Sequence, residues 1–134
     1  MSGDERERLL SAFDSNWITT LGAEVDGFER EMVQYTGTPA AVALSSSTAT
    51  LHLALLLAGV GAGDEVWVSP FTFAAPANTV RYTGADLRFV DSERSTWNLD
   101  PLLLEEALAE AAAHDRLPRA VVSVDLYGQY AQLD

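Results

Sequence analysis

The chain has 134 residues, 48% of them hydrophobic and 21% charged, which suits one ordinary globular domain with a core and does not suit a disordered chain. Its formal net charge of −12 disfavours a nucleic-acid partner, and the lack of cysteine removes disulfides, thiolate chemistry and zinc–thiolate sites. Every basic side chain is an arginine, and guanidinium stays protonated, so this chain has no amine of the lysine type to form an imine with a carbonyl.

The N-terminus, MSGDERERLL, is acidic and lacks the apolar core of a signal peptide. The longest apolar stretches are too short and interrupted to span a bilayer, so a cytoplasmic protein with no membrane partner is expected. A short charged helix is expected from Asp4 to Phe13, then a turn at Asp14–Asn16 and extended chain over Trp17–Thr20. Val25, Phe28, Met32 and Tyr35 recur at three- and four-residue spacing, which predicts a helix over Glu24–Tyr35 ended by Gly37 and Pro39.

From there the chain alternates. Ala41–Leu44 reads as a short strand and Thr48–Ala58 as a helix closed by Gly59. Gly61–Asp64 is a turn, Glu65–Val68 a strand, Phe73–Tyr82 a helix closed by Gly84, and Leu87–Val90 a strand. Pro101–Ala113 is a helix with Asp100 as its N-cap, and Ala120–Val124 a further strand. Strands and helices alternating over short connections predict βαβ units, an α/β fold with a mainly parallel sheet and flanking helices. The last ten residues, from Asp125 to Asp134, read as a loop leaving a strand end, where open α/β sheets build their sites. The chain is therefore expected to be an N-terminal piece of a larger protein, with a complete small domain as the alternative.

The hydroxyl run Ser45–Thr48 stands where a strand gives way to a helix. A helix N-terminus presents free N–H groups and a positive dipole end, which suit phosphate, and hydroxyls add donors there. The plainer reading is one N-cap with polar turn residues around it; neither a Walker loop nor G-x-G-x-x-G is present. One βα unit later, SPFTFAAPANTV offers Phe71 or Phe73 as a ring beside that turn, or as core. His52 is expected to be a packed helix residue, and Glu105, Glu106 and Glu110 a solvated face. Asp91, Glu93 and Asp100 are loop and cap residues, and Asp125 is an acid without a visible partner. His52 and His114 are too far apart in sequence to suggest a metal cluster.

Taken together, S-S-S-T-A at 45–49, G-A-G-D-E-V at 61–66, T-F-A-A-P-A-N at 72–78, the strand ending F-V-D at 89–91, W-N-L-D-P at 97–101 and L-Y-G-Q at 126–129 resemble the N-terminal third of the DegT/DnrJ/EryC1/StrS aminotransferases. The resemblance runs from Trp17 to Asp134. It implies the large domain of a pyridoxal 5′-phosphate enzyme of the aspartate-aminotransferase type, fold type I, with 1–23 as an N-terminal arm and helix and 24–134 as βα units. It implies that Ser47, Thr48 and Ala49 bind the cofactor phosphate, that Phe73 lies against the pyridine ring, and that Trp17–Thr19 sits near the substrate entrance. The whole enzyme would aminate a nucleotide-linked keto-sugar, with glutamate as donor, as a homodimer. Two positions depart from the family pattern. Ser47 stands where Gly or Ala is common, which would crowd the phosphate, and Asp125 stands where His is common. The family's E-D-x-x-Q carboxylate and its lysine have no counterpart here, so no catalytic residue is assigned and the isolated chain is expected not to transaminate. The alternatives are a dehydratase on the same scaffold and a non-catalytic phosphate-binding or assembly module.

Overall fold

The computed structural model describes residues 3–132, so the final residues of the expected C-terminal loop, Leu133 and Asp134, lie outside the described residues. The chain divides into two compact units, one ending at Leu44 and one beginning at Ser45. The first contains α1 (Glu5–Asp14) and α2 (Ala23–Thr36). Both carry two acidic residues in the first turn, Glu5 and Glu7 in α1 and Glu24 and Asp26 in α2, where the helix dipole favours negative charge. Between them Trp17 folds back, its indole N–H donating to the Leu21 carbonyl at 2.7 Å. Gly22 has φ 139°, and a Cβ there would meet the Trp17 ring at 2.6 Å, so both its conformation and the close approach call for glycine. No described residue of this unit is buried, and Leu9, Phe13, Trp17, Ile18 and Leu21 all face solvent.

The second unit holds α3 (Ser47–Leu57), β1 (Glu65–Val68), α4 (Ala75–Thr83), β2 (Asp86–Phe89), α5 (Pro101–Ala113), β3 (Ala120–Val122) and a 3₁₀ turn at Leu126–Gly128. The sheet is parallel with order β2-β1-β3. Alternation along β1 decides the layers. Val66 and Val68 point to one face and pack with Leu55 of α3, Val80 of α4, Val60 and Ala85. Trp67 points to the other and packs with Leu99, Val90 and Ala111, joined by Leu104, Ala107 and Leu108 of α5. The buried indole N–H of Trp67 donates to Glu65 at 2.5 Å, and the Arg88 guanidinium lies 4.9 Å from the ring centroid.

Several expected boundaries shift. Residues 41–44 form no ladder among the described residues; their link is the Ala43 amide donating to Glu29 at 2.8 Å. The apolar run supplies a strand's composition, but a strand also needs a partner. The expected helix at Phe73 begins at Ala75 instead, because Pro76 is tolerated only in a first turn, where its missing N–H is not needed. The last strand stops at Val122, and the strand expected over Leu87–Val90 runs one residue earlier, Asp86–Phe89. The Asp100 cap forms as expected, its carboxylate accepting from Leu102 N at 2.9 Å and Leu103 N at 3.2 Å.

Leu99 is fully buried between Trp67 and α5, whereas Leu102 on α5 faces solvent. Leu99→Ala should cost about 2–5 kcal/mol in denaturant unfolding, and Leu102→Ala about 0.5 kcal/mol or less. Equal losses would show that the α5 face is not a packed core.

Candidate functional site

The chain leaves β1 for β2 on one side, then crosses to β3 on the other, so the direction of winding reverses between β1 and β3. In an open parallel sheet the carboxyl-end loops diverge at such a point and leave a crevice. The loops that border it here are residues 69–74 after β1 and 123–131 after β3. Ser69, the first residue beyond β1, is 1% exposed and its Oγ has no hydrogen-bond partner. A buried hydroxyl left unsatisfied is costly, and its place at a strand's carboxyl end marks the edge as polar inside.

The hydroxyl run resolves into distinct roles. Ser46 is the N-cap of α3: its backbone is extended and its Oγ accepts from Ala49 N at 3.2 Å. Thr50 Oγ1 turns back onto the Ser46 carbonyl at 3.2 Å. Capping is thus complete without Ser47 or Thr48, whose hydroxyls and amides take no hydrogen bond among the described residues. Ser47 is exposed, and Thr48 and Ala49 are half-buried. In a chain with 20 acidic residues, the first turn of α3 carries none. These are the conditions under which a helix N-terminus attracts an anion.

Phe73 stands in the loop before α4, 81% exposed, and makes no ring contact among the described residues. Phe71 is the ring that packs, tilted against Trp97 with centroids 5.5 Å apart. Of the two phenylalanines, Phe73 is the uncommitted one. Phe73 and the α3 turn share no direct interaction; what they share is lack of an internal partner.

The loop after β2 is closed from within. Glu93 Oε2 accepts from Ser95 N and Oγ at 2.5 Å, and Oε1 accepts from Thr96 N at 2.6 Å and from Thr96 Oγ1. The Ser95 and Thr96 hydroxyls, with their amides, lower the Glu93 carboxyl from 4.5 to about 2 by favouring its charged form. Asn98, 1% exposed, reaches from this loop to the turn after β3. Its Nδ2 donates to the Gln129 carbonyl at 2.9 Å, and its Oδ1 accepts from Leu126 N at 2.9 Å. In that turn Tyr127 has φ 52° and ψ 27°, a left-handed conformation costing roughly 1–2 kcal/mol for a residue with a Cβ.

The other candidates take structural places. His52 meets Tyr82 edge-to-face at 5.6 Å. Glu105, Glu106 and Glu110 are solvated, Asp91 accepts from Ser92 N, and Asp125 accepts from Ala131 N at 3.1 Å within its own turn. Among the described residues no acidic or histidine cluster is placed to hold a metal, and no helix is long and apolar enough to cross a membrane. Sequence reasoning missed Ser69 and Asn98. Asn98 leaves only the faint signal of an amide between Trp97 and Leu99, two apolar residues.

The model of the DegT/DnrJ/EryC1/StrS aminotransferase family matches residues 1–134. EpsN of Bacillus subtilis, named for a pyridoxal phosphate-dependent aminotransferase, is 48% identical over all 134 residues, which is 34% of its own length. GDP-perosamine synthase of Caulobacter vibrioides is 37% identical over the same span, again 34% of its length. A DegT/DnrJ/EryC1/StrS aminotransferase from Brucella abortus superposes with a TM-score of 0.82 at 34% identity, covering 97% of this chain and 37% of that one. The chain therefore spans about a third of the length of the curated relatives it matches. The solved neighbours include forms holding pyridoxal phosphate and pyridoxamine phosphate, and the fold is a partial fold-type-I domain.

Because the folded pKa of Glu93 lies below its ordinary value, its hydrogen bonds add stability above pH 4.5 and lose it as pH falls toward about 2. The Ser95 and Thr96 amides should stay protected from exchange through pH 4.5 and open as pH approaches about 2. A Glu93 carboxyl signal in a ¹³C titration with its midpoint at 4.5 would contradict this.

Proposed function

The chain belongs to the DegT/DnrJ/EryC1/StrS aminotransferase family, a pyridoxal-phosphate-dependent family, and from that premise we propose that it is the phosphate-anchoring part of an aminotransferase acting on nucleotide-linked keto-sugars. In this reading residues 1–23 are an N-terminal arm and helix, and 24–134 the first βα units of the cofactor-binding large domain. The observation that carries it is the first turn of α3, where Ser46 completes the cap and leaves the Ser47 and Thr48 hydroxyls and amides with no internal role.

The residues present fit the cofactor's phosphate and ring. The amides of Ser47 and Thr48 lie unused at the positive end of the α3 dipole, the Ala49 amide beside them is taken by the Ser46 cap, and Thr48 adds a hydroxyl donor held half-buried. Ser47 is exposed, so its side chain has room to turn aside from a phosphate or to donate to it. Phe73 offers a ring face with no internal partner. When bound, the cofactor supplies the electron sink for deprotonation next to nitrogen. This chain's residues bind and orient it; with no lysine, they hold no amine to carry it covalently or to move that proton. The whole protein's keto-sugar substrate, its glutamate donor and its homodimeric assembly belong to the same family reading.

Isothermal titration of the chain with pyridoxamine phosphate tests the anchor. Thr48→Val should weaken binding about tenfold or more, the loss of one hydrogen bond to a charged group. Phe73→Ala should weaken pyridoxamine phosphate roughly two- to tenfold and leave inorganic phosphate unchanged. No binding by the unaltered chain would overturn the reading. Given pyridoxal phosphate, glutamate and a nucleotide-linked keto-sugar, the chain should give no turnover, and sustained product would refute the division between anchor and reacting group.

A further inference from the structure

We propose that Asn98 is a positioning residue that holds the Leu126–Gly128 turn so that the Tyr127 ring becomes a wall of the site at the carboxyl edge of the sheet. The ligand it would face has a planar heteroaromatic ring carried on a phosphate, either the cofactor or the nucleotide of the sugar substrate. The inference rests on the site reading above, and its test separates the two.

Asn98 is buried, and both ends of its amide go to one turn: Nδ2 to the Gln129 carbonyl and Oδ1 to the Leu126 amide, each at 2.9 Å. An apolar residue beside Leu99 would bury at no polar cost, so the amide is explained only by what it binds. The other bonds that shape the turn are internal: Gly128 N to Asp125 O at 3.0 Å, Gln129 N to Leu126 O at 3.0 Å, and Ala131 N to Asp125 Oδ1 at 3.1 Å. Among the described residues, Asn98 is the one side chain outside the turn that grips it. Its own loop is fixed as well, with Asn98 N donating to Thr96 Oγ1, Thr96 bound to Glu93, and Glu93 N donating to the Asn98 carbonyl at 3.0 Å.

The grip holds a conformation that the sequence does not favour. Tyr127 is left-handed and is followed by left-handed Gly128. If the turn only reversed the chain, Gly or Asn at 127 would do so with less strain. The tyrosine gains nothing from packing here, because it is 95% exposed. A strained backbone that displays an unpacked ring points to a ligand contact. Topology adds the location. β1 and β3 pair directly, so Phe73 and Tyr127, the two most exposed rings on their respective exits, leave neighbouring strands at the crevice where the winding reverses.

Binding is measured on the full 134-residue chain with pyridoxamine phosphate, GDP and inorganic phosphate. Tyr127→Ala should weaken either pyridoxamine phosphate or GDP roughly three- to tenfold and leave inorganic phosphate unchanged. The probe that responds identifies the ring Tyr127 faces. Asn98→Ala should give the same loss, and the double variant no more than either single one. In Asn98→Ala the Leu126 amide should exchange about tenfold faster while the Val66 and Val68 amides stay protected. Should that variant fail to fold, Asn98→Ser, too short to reach either partner in the turn, carries the same comparison of binding and of Leu126 exchange. Unchanged binding of both ring-bearing probes in Tyr127→Ala overturns the ligand role, and additive losses overturn the coupling. If the unaltered chain binds no probe, the site reading fails and the ligand role with it; Leu126 exchange then still decides whether Asn98 holds the turn.

Discussion

β1 is confined on four sides, and the rest of the second unit is arranged around that confinement. It pairs with β2 along one edge and β3 along the other, while Val66 and Val68 are buried toward α3 and α4 and Trp67 toward α5. A four-residue strand so enclosed cannot slip by one residue, because a slip would exchange Trp67 with the valines and break both cores at once. The strand's carboxyl end is therefore fixed, and with it Ser69 and the loop that carries Phe73. β3 is fixed by its register to the same strand, which sets where the Asp125–Gln129 turn begins.

The two units differ in how much they bury. The second has two buried clusters, one on each face of the sheet. The first has helices with well-placed acidic first turns but no buried residue among those described. Its helices gain little from apolar burial, which is where most helical stability in proteins arises. Arg8 and Glu24, 3.8 Å apart and both solvent-exposed, add at most about 1 kcal/mol. α3 shows a related imbalance. It is apolar nearly all round, yet Leu53, Leu56 and Leu57 are exposed while Leu55 is buried. A helix of that composition is ordinarily covered on more than one side.

The elements legible in the sequence were those whose cause is local. Glu65–Val68 and Pro101–Ala113 were read to the residue, the first from a short apolar run after a glycine turn, the second from Asp100 and Pro101 in adjacent positions. The hydroxyl run was legible as the start of a helix but not as a division of labour. Four consecutive hydroxyls carry no mark of which one caps; the extended backbone of Ser46 decides that. Residues 41–44 failed for the opposite reason, since pairing is a property of two segments and a pattern describes one. The start of α4 could have been found, because Pro76 restricts where a first turn can lie. Asn98 could not. Its partners are 28 and 31 residues away, and nothing in W-N-L-D-P distinguishes a clamp from a polar loop residue.

The residues that define the candidate site stand against a background of thorough hydrogen bonding. Where the fold needs a polar group, it is fully used: Ser46 caps α3, Asp100 caps α5, Glu93 accepts four bonds, and both ends of Asn98 are engaged. Beside these stand several groups that the fold does not use. The Thr48 hydroxyl, the Ser69 hydroxyl and the rings of Phe73 and Tyr127 have no internal partner among the described residues. Phe73, Ser69 and Tyr127 leave the carboxyl ends of adjacent strands, and Thr48 opens the helix that packs on α4. A buried hydroxyl without a partner costs stability, and Ser92 Oγ, on the loop after β2, shares that condition with Ser69 Oγ. A ligand with a phosphate at one end and a planar ring at the other would use both hydroxyls and rings. The arginine-only composition bounds the chemistry, because a chain without lysine has no side-chain amine to offer a carbonyl.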